Sequence, residues 1–381
     1  MKNSPISKPK VVTIFGTRPE AIKLFPVIRA LSERDKLQTI SCVTAQHREM
    51  LDQVLEIADI QPDYDLDLMR ANQSLDELTG RLLTGIGQIL DDIKPQRVVV
   101  QGDTATAMCG ALAAYYRQIP VSHVEAGLRS YNIYHPWPEE VNRKIIGTIA
   151  DQHFAPTETS AGALRKENVA DEQISVTGNT VIDALLITTE KNRTGQPVNR
   201  DLQNLFDKFS DRKIIGVTSH RRENFGDGLT NIASALREIA RRNDVALIFP
   251  VHLNPNVRAI MNDALGGLDN VAMIEPLDYP NFVALLDSCT LMLTDSGGVQ
   301  EEAPALGKPV LVMRDTTERP EGIEAGTAKL VGTDPDVIIK ETSKLLDDKR
   351  YYDSMAKAHN PFGDGLASQR IAAIIEQSLI S

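Results

Sequence analysis

Three acidic residues in the first half of the chain could carry acid–base chemistry. Asp103 and Glu125 each follow a short apolar run, and Glu139 lies in the segment PWPEE. Carboxylates that share a partly dry site cannot all ionise freely, so at least one should have a raised pKa and hold a proton near neutral pH. Plainer interpretations stay open: Asp103 as a helix cap, and Glu139 or Glu140 as solvated acids of a first helical turn.

Two segments, one in each half of the chain, could bind a phosphate. In FGTRPEAIK a strand and a glycine precede a helix start, and Arg18 and Lys23 lie where they could hold an anion. In TDSGGVQEE the small residues Ser296, Gly297 and Gly298 would let backbone N–H groups approach a phosphate closely. One diphosphate could be bound by both segments. The first segment is equally consistent with a well-formed helix start that carries solvated charges.

Further cations and hydrogen-bond donors are expected around the second segment. Arg319 lies in TTERPE, and His220 and His252 each come at the end of an apolar run in the second half. At these positions the side chains could act as cations or hydrogen-bond donors towards an anionic ligand. His123 lies inside an apolar run and is predicted to be a core histidine.

The common fingerprints of nucleotide and metal sites do not occur in the sequence. It contains no GxGxxG, no GxxxxGK[ST], no HExxH and no His/Cys cluster with zinc spacing. An NAD-dependent dehydrogenase, a P-loop kinase and a zinc hydrolase are therefore disfavoured. The net charge of −11 gives no global attraction for nucleic acid or an anionic membrane. Three widely spaced cysteines and a polar N-terminus predict a cytoplasmic protein.

Alternating strands and helices must position these groups. Short β-branched runs predict strands, and apolar residues at helical spacing predict helices between them. In the first half the predicted strands are 11–15, 39–43, 98–101 and 121–124, and the helices are 19–30, 46–58, 74–89 and 106–116. In the second half the predicted strands are 214–218, 246–251, 271–274, 291–294 and 310–313. Ligands of such sheets lie beyond the carboxyl ends of the strands, where the polar residues above are found.

The length of 381 residues predicts two domains, because a single hydrophobic core rarely grows so large. The polar stretch 191–212 predicts the linker between an N-terminal domain, 1–190, and a C-terminal domain, 213–381. The last helix could pack back on the N-terminal domain. We therefore predict an α/β protein with two doubly wound, Rossmann-like domains that face a central cleft.

The chain carries nine motifs in a fixed order: FGTRPEAIK, TAQHREMLDQ, QGDT, HVEAGLRS, PWPEEVNR, HRREN, PVHLNPNV, LTDSGGVQEEAP and RDTTERPE. In these motifs, from Val11 to about Gly365, it resembles the non-hydrolysing UDP-N-acetylglucosamine 2-epimerases. The resemblance implies reversible conversion of UDP-N-acetylglucosamine to UDP-N-acetylmannosamine on the GT-B fold shared with nucleotide-sugar glycosyltransferases. It also implies a homodimer and a reaction that requires neither NAD nor a metal ion.

The resemblance assigns roles to individual residues. Those matched to catalysis are Asp103, Glu125, Glu139 and His220. Those expected to bind the substrate are Arg18, Lys23, Arg143, His252, Leu277, Phe282, Ser296, Gly297, Gly298, Glu302 and Arg319. Phe282 is expected near uracil and Glu302 on the ribose hydroxyls, whereas Leu277 replaces a glutamine of some relatives. Glu49 and Asn72 stand where some relatives bind an activating substrate molecule, so activation is expected to be weak or absent.

Simple removal of the C2 proton is implausible because C2 is not adjacent to a carbonyl carbon. Departure of UDP would acidify that hydrogen and lead through a 2-acetamidoglucal. Three alternatives remain at this point: a glycosyltransferase of the same fold, a hydrolysing epimerase that releases free N-acetylmannosamine, and a non-catalytic nucleotide-sugar sensor. The three carboxylates argue against the sensor.

Overall fold

The structure is a computed structural model that describes residues 8–44, 48–68, 70, 73–195, 198–219, 221, 224, 226–251 and 253–380. It divides into two compact units. Unit 1 comprises Met1–Ala184 together with Gly363–Ser381, and unit 2 comprises Leu185–Phe362. Within the described residues, no helix is both long and apolar enough to span a membrane.

Unit 1 is built on a seven-stranded parallel sheet. Its strands are β1 (Lys10–Phe15), β2 (Gln38–Val43), β3 (Tyr64–Asp65), β4 (Arg97–Gln101), β5 (Val121–Val124), β6 (Gln152–Ala155) and β7 (Ile174–Val176). Its helices are α1 (Arg18–Ser32), α2 (Arg48–Ala58), α3 (Leu75–Ile93), α4 (Ala105–Tyr115), α5 (Glu139–Ile149) and α6 (Glu158–Lys166), with a short 3-10 helix at Asp171–Gln173. Helix α7 (Thr180–Thr194) begins in unit 1 and ends in unit 2.

Unit 2 repeats the design on a six-stranded parallel sheet. Its strands are β8 (Lys213–Thr218), β9 (Val245–Pro250), β10 (Val271–Ile274), β11 (Leu291–Thr294), β12 (Val310–Val312) and β13 (Ala328–Leu330). Its helices are α8 (Arg200–Lys208), α9 (Asp227–Ile239), α10 (Pro255–Leu265), α11 (Tyr279–Ser288), α12 (Gly297–Ala305), α13 (Pro320–Glu324), α14 (Pro335–Asp347) and α15 (Lys349–Ala356). The stretch 191–212 thus contains the end of α7 and all of α8.

The last helix, α16 (Ala367–Ile380), belongs to unit 1. It packs beside α1. Its first turn is held by the buried Asp183 of α7, whose carboxylate accepts hydrogen bonds from the backbone N–H of Ser368 at 2.7 Å and of Ala367 at 3.3 Å. Farther along, Arg34 and Glu376 approach to 3.5 Å.

The central strands of both sheets are buried on both faces, which is why they consist of continuous β-branched and apolar runs. Strands β1 and β4 pack with α3 and α4 in one core, and β8, β9 and β11 pack with α9 and α14 in another. The predicted strands are confirmed to within one residue at each end. Strands β3, β6, β7 and β13 were not predicted; they read YD, QHFA, ISV and AKL.

Each sheet has one point where the strand order reverses. The order is β3-β2-β1-β4-β5-β6-β7 in unit 1 and β10-β9-β8-β11-β12-β13 in unit 2. The reversal lies between β1 and β4 in the first sheet and between β8 and β11 in the second. The predicted α/β class with two doubly wound sheets is confirmed. The turns that follow these four strands are where ligands of such folds bind.

Candidate active site

The β1–α1 turn brings a capped helix start to the switch point of unit 1. Gly16 packs so closely that a Cβ there would lie 2.1 Å from the Oγ1 of Thr44 and 2.7 Å from that of Thr106, so only glycine fits. The Thr17 side chain accepts from the N–H of Glu20, and Glu20 Oε2 accepts from the N–H of Gly16 at 3.0 Å and of Thr17 at 2.8 Å. This is a complete capping box.

Glu20 also contacts the turn that follows β4. Thr104 Oγ1 donates to Glu20 Oε1 at 2.6 Å. The carboxyl is only 1% exposed, and burial raises its pKa above the ordinary value although four hydrogen bonds oppose the shift. The group held by the start of α1 is therefore the protein's own carboxyl. Arg18 follows Thr17 and is partly exposed.

Glu125 is the most tightly held of the predicted catalytic carboxylates. It follows β5 with a φ of 62°, a left-handed conformation that residues other than glycine rarely adopt and that often marks functional sites. Its carboxylate accepts from Lys23 Nζ at 2.5 Å, from Asn179 Nδ2 at 3.2 Å and from Gln101 Nε2. The structure therefore places Lys23, expected to hold a phosphate, on a carboxylate of unit 1.

Asp103 follows β4 and is bound by α5. Arg143 donates to Asp103 Oδ2 from Nε at 2.8 Å and lies 2.6 Å from it through Nη2. Asn142 Nδ2 donates to the Asp103 carbonyl oxygen at 2.8 Å. The cap of α4 is Thr104, whose side chain accepts from the N–H of Ala107 at 3.0 Å. The alternative interpretation of Asp103 as the helix cap is therefore wrong.

The two glutamates that begin α5 differ in their surroundings. Glu140 is fully buried and accepts from the N–H of Ser130 and of Tyr131, each at 3.0 Å, and from Arg143 at 3.2 Å. Burial alone would raise the pKa of Glu140, but these donors outweigh it and hold the pKa below its ordinary value. Glu140 is thus no solvated acid. Glu139 is partly exposed, and among the described residues its carboxylate has no hydrogen-bond or ion-pair partner.

His123 supports the same turn from inside the sheet. It is 1% exposed within β5, and its Nε2 lies 2.8 Å from the carbonyl oxygen of Gly102. Burial lowers the pKa of His123 to about 3, so the imidazole is neutral near pH 7. The prediction of a core histidine is confirmed.

The start of α12 in unit 2 lacks the internal cap that closes α1. Ser296 is the N-cap residue, but its side chain makes no capping hydrogen bond, and the first turn contains no acidic residue. Gly297 and Gly298 form that turn. A Cβ on Gly298 would lie 3.7 Å from Glu302 Oε2, an ordinary contact, so packing among the described residues does not require glycine there.

A buried carboxylate also joins the two turns at the switch point of unit 2, but it precedes the helix. Asp295 follows β11 and is fully buried. Its Oδ2 accepts from Ser219 Oγ at 3.2 Å, from the N–H of Arg221 at 2.9 Å and from Asn224 Nδ2 at 3.3 Å. These three donors all belong to the turn after β8.

Two predicted ligand-binding side chains of unit 2 are paired within that unit. Glu302 is 7% exposed and accepts from Tyr279 OH at 3.1 Å. Burial raises the pKa of that tyrosine well above its ordinary value, and the neighbouring Glu302 adds to the effect. Arg319 Nε donates to Glu301.

The remaining predicted positions lie in α11 or outside the described residues. Leu277 precedes the N-cap of α11 and Phe282 lies in its first turn, and both are partly exposed. His220 and His252 lie outside the described residues, as do Asn72 and the side chain of Glu49. The roles assigned to them stay predictions. In the described part of the chain, no group of three or more His, Cys, Asp or Glu residues could hold a metal ion.

Sequence reasoning missed several residues that hold the site together. Glu20 had a visible signal, because TRPE matches the capping-box pattern. Asn179 had none, since it is 54 residues from Glu125 in the chain and reaches it only through the turn after β7. The bond from Tyr279 to Glu302 also had no signal, because in the sequence Tyr279 looks like an ordinary apolar residue of a helix.

The family model described as UDP-N-acetylglucosamine 2-epimerase matches residues 29–376 of the chain. The UDP-N-acetylglucosamine 2-epimerase of Escherichia coli is 52% identical over 374 residues, which cover 98% of this chain and 100% of that protein.

Several solved structures are similar to this chain over 97% or more of its length. A crystal structure of a putative UDP-N-acetylglucosamine 2-epimerase from Listeria monocytogenes has a TM-score of 0.92 at 48% sequence identity. The match covers 98% of this chain and 97% of the Listeria chain. The crystal structure of UDP-GlcNAc 2-epimerase from Neisseria meningitidis bound to UDP-GlcNAc has a TM-score of 0.84 at 47% sequence identity. The match covers 97% of this chain and 100% of the Neisseria chain. With a match of this extent in sequence and in fold, the chain belongs to the UDP-N-acetylglucosamine 2-epimerase family.

Proposed function

We propose that the protein interconverts UDP-N-acetylglucosamine and UDP-N-acetylmannosamine without hydrolysis, by elimination and re-addition of UDP. One observation carries the proposal. Three carboxylates follow or begin neighbouring elements at one edge of the unit 1 sheet, and each has a different environment. Asp103 is paired with Arg143, Glu125 with Lys23, and Glu139 with no partner among the described residues. The related Neisseria enzyme, solved with UDP-GlcNAc bound, supports the choice of substrate.

The chemistry of the sugar requires elimination. The hydrogen on C2 is not acidic, because the acetamido carbonyl is separated from C2 by nitrogen. As the bond from C1 to the UDP oxygen breaks, positive charge develops at C1 and the C2 hydrogen becomes removable. A carboxylate takes that proton, the electron pair forms the C1–C2 double bond of 2-acetamidoglucal, and UDP departs. Reprotonation of C2 from the other face, with return of UDP to C1, gives the epimer.

Unit 1 supplies the proton transfers in this proposal. The carboxylate of Glu125 is oriented by three donors, and that of Asp103 by a guanidinium. Glu139 is the most freely available of the three to accept or deliver a proton. Two of these groups would serve the two faces of C2. Arg143 would then act on the sugar indirectly, by holding Asp103.

Unit 2 provides most of the groups that bind UDP in this proposal. The start of α12 offers backbone N–H groups and a positive helix end to the diphosphate. Glu302 would accept from the ribose hydroxyls, and Phe282 and Leu277 would lie near uracil. The cations proposed to stabilise departing UDP are Arg18, Arg319, His220 and His252. The homodimer implied by the family resemblance stays a prediction, which light scattering of the purified protein would check.

The decisive experiment uses pure protein, UDP-N-acetylglucosamine and deuterated water, with no acceptor. We expect proton NMR to show a mixture of the two UDP-sugars, with deuterium at C2 of the product. Release of free N-acetylmannosamine and UDP would establish the hydrolysing reaction instead. Epimerisation that retains the original C2 hydrogen would reject proton exchange through carboxylates. If the substrate stays unchanged until an acceptor is added, the glycosyltransferase alternative holds.

A further inference from the structure

We propose that Glu20 is a positioning residue that fixes the β1–α1 turn against the β4–α4 turn and so sets Arg18 relative to Asp103. The inference rests on the proposed function, because it assigns Arg18 to the leaving UDP and Asp103 to proton transfer. Glu20 itself does not exchange a proton with the sugar.

The contacts of Glu20 join two turns that are far apart in sequence. One carboxylate oxygen accepts from the N–H of Gly16 and of Thr17, and the other accepts from Thr104 Oγ1 at 2.6 Å, across 84 residues of chain. The side chain is 1% exposed, so these are its hydrogen-bonding options in place of water.

We call Glu20 and these hydrogen bonds the clamp. The residues next to it in the chain are the ones that take part in the proposed reaction. Arg18 directly follows Thr17, and Asp103 directly precedes Thr104. The hydroxyl of Thr104 also accepts from the N–H of Ala107 and caps α4. The same bonds therefore set the starts of α1 and α4. A shift of either turn would change the separation of the two functional side chains.

Helix capping alone does not explain this arrangement, because unit 1 contains a second capping box for comparison. At the start of α3, Ser74 and Glu77 form the same reciprocal pair of bonds. Glu77 is exposed, and no hydrogen bond from its side chain to another turn is found within the described residues. Burial and the bond to Thr104 distinguish Glu20 from an ordinary cap.

Three substitutions of Glu20 separate positioning from chemistry. Glu20→Ala removes the clamp and should lower kcat by roughly 10- to 100-fold, the range expected for a displacement of about 1 Å. Glu20→Asp is one methylene too short to span both turns and should behave like Ala. Glu20→Gln can still accept from the two amides and donate to Thr104 Oγ1, so its kcat should stay within about threefold of wild type.

The matched control is Glu77→Ala, which removes the other capping box and should leave kcat unchanged. Thr104→Ala tests the partner, and the double variant Glu20→Ala/Thr104→Ala should lose no more activity than Glu20→Ala alone, because both changes break one clamp. If Glu20→Ala does not fold, Thr104→Ala against Thr104→Ser carries the same test, since serine keeps the hydroxyl.

Wild-type protein assayed for epimerisation separates this inference from the proposed function. An inactive wild type would overturn the proposed function. An active wild type with a folded Glu20→Ala variant of normal kcat would overturn the positioning role alone. A folded Glu20→Gln variant as impaired as Glu20→Ala would also overturn it, because the carboxylate would then be needed for more than its shape.

Discussion

The starts of α1 and α12 both lie at a switch point, α1 after β1 and α12 after β11, but they are built in opposite ways. The start of α1 is capped by a side chain of the helix itself, because Glu20 in the first turn accepts hydrogen bonds from the N–H groups of Gly16 and Thr17. At α12 the carboxylate that joins the two turns is Asp295, which precedes the helix and is bonded to the turn after β8. The first turn of α12 carries two glycines and no acidic residue.

This difference supports the separate roles proposed for the two units. A helix start that holds its own carboxylate has little to offer a second anion, but it sets its neighbours precisely. A helix start with small residues and no internal cap can accept a phosphate on its N–H groups. We therefore propose that the turns of unit 1 carry the proton chemistry, with Arg18 acting on the leaving UDP, and that the turns of unit 2 bind the nucleotide.

The largest expected effect comes from removing the proton-transfer groups of unit 1. Asp103→Asn, Glu125→Gln and Glu139→Gln should each lower kcat by about 100-fold or more, the usual contribution of general acids and bases, with the Kd for UDP nearly unchanged. Steady-state kinetics and calorimetry would measure both. Glu158→Gln, an exposed carboxylate of α6, is the control. Loss of UDP affinity in all three variants would erase the distinction between the units.

A smaller effect is expected from filling the open helix start of unit 2. Gly298→Ala meets only ordinary contacts and should leave thermal stability unchanged or slightly raised, because alanine favours helix. Its Cβ would obstruct the approach of a phosphate and weaken UDP binding by about tenfold, equivalent to losing one hydrogen bond to a charged group. Gly162→Ala in α6, where nothing lies within 4 Å, is the matched control. Unchanged UDP affinity would rule out this helix start as the phosphate site.

The smallest effect is a pH dependence at the closed helix start. Burial raises the pKa of Glu20 above 4.5 in the folded state, so the folded protein holds this proton at a higher pH than the unfolded chain does. Relative to Glu20→Gln, wild type should therefore be most stable below pH 4.5 and lose that advantage as the pH rises through the folded pKa. Urea midpoints of the two proteins between pH 4 and about pH 8 would show the difference. A constant difference would mean that Glu20 titrates normally.

Much of the fold was predictable because its signals are local. Buried parallel strands need continuous apolar residues, and each predicted strand is present in the described structure. The positions of Asp103 and Glu125 at strand ends followed from the same pattern, because parallel strands end at one edge. Strands β3 and β7 were missed, since their sequences, YD and ISV, contain no continuous apolar run.

The partners of the candidate site were not predictable. Lys23 and Glu125 are 102 residues apart, and nothing in the sequence around either one indicates the other. The alternative interpretations of Asp103 as a helix cap and of Glu140 as a solvated acid were reasonable for their positions, yet the structure gives the cap to Thr104 and buries Glu140. Each outcome depends on which turn lies beside which, and strand order decides that.

By itself, the sequence determined the α/β class, the strand positions and the residue types that stand at the strand ends, because all of these depend on spacing along a few neighbouring residues. Only the tertiary structure decided that the two helix starts, alike in sequence pattern, differ in how their ends are satisfied. The physical reason is that a hydrogen bond such as the one between Thr104 and Glu20 forms through space, between turns that only the crossing from β1 to β4 makes neighbours.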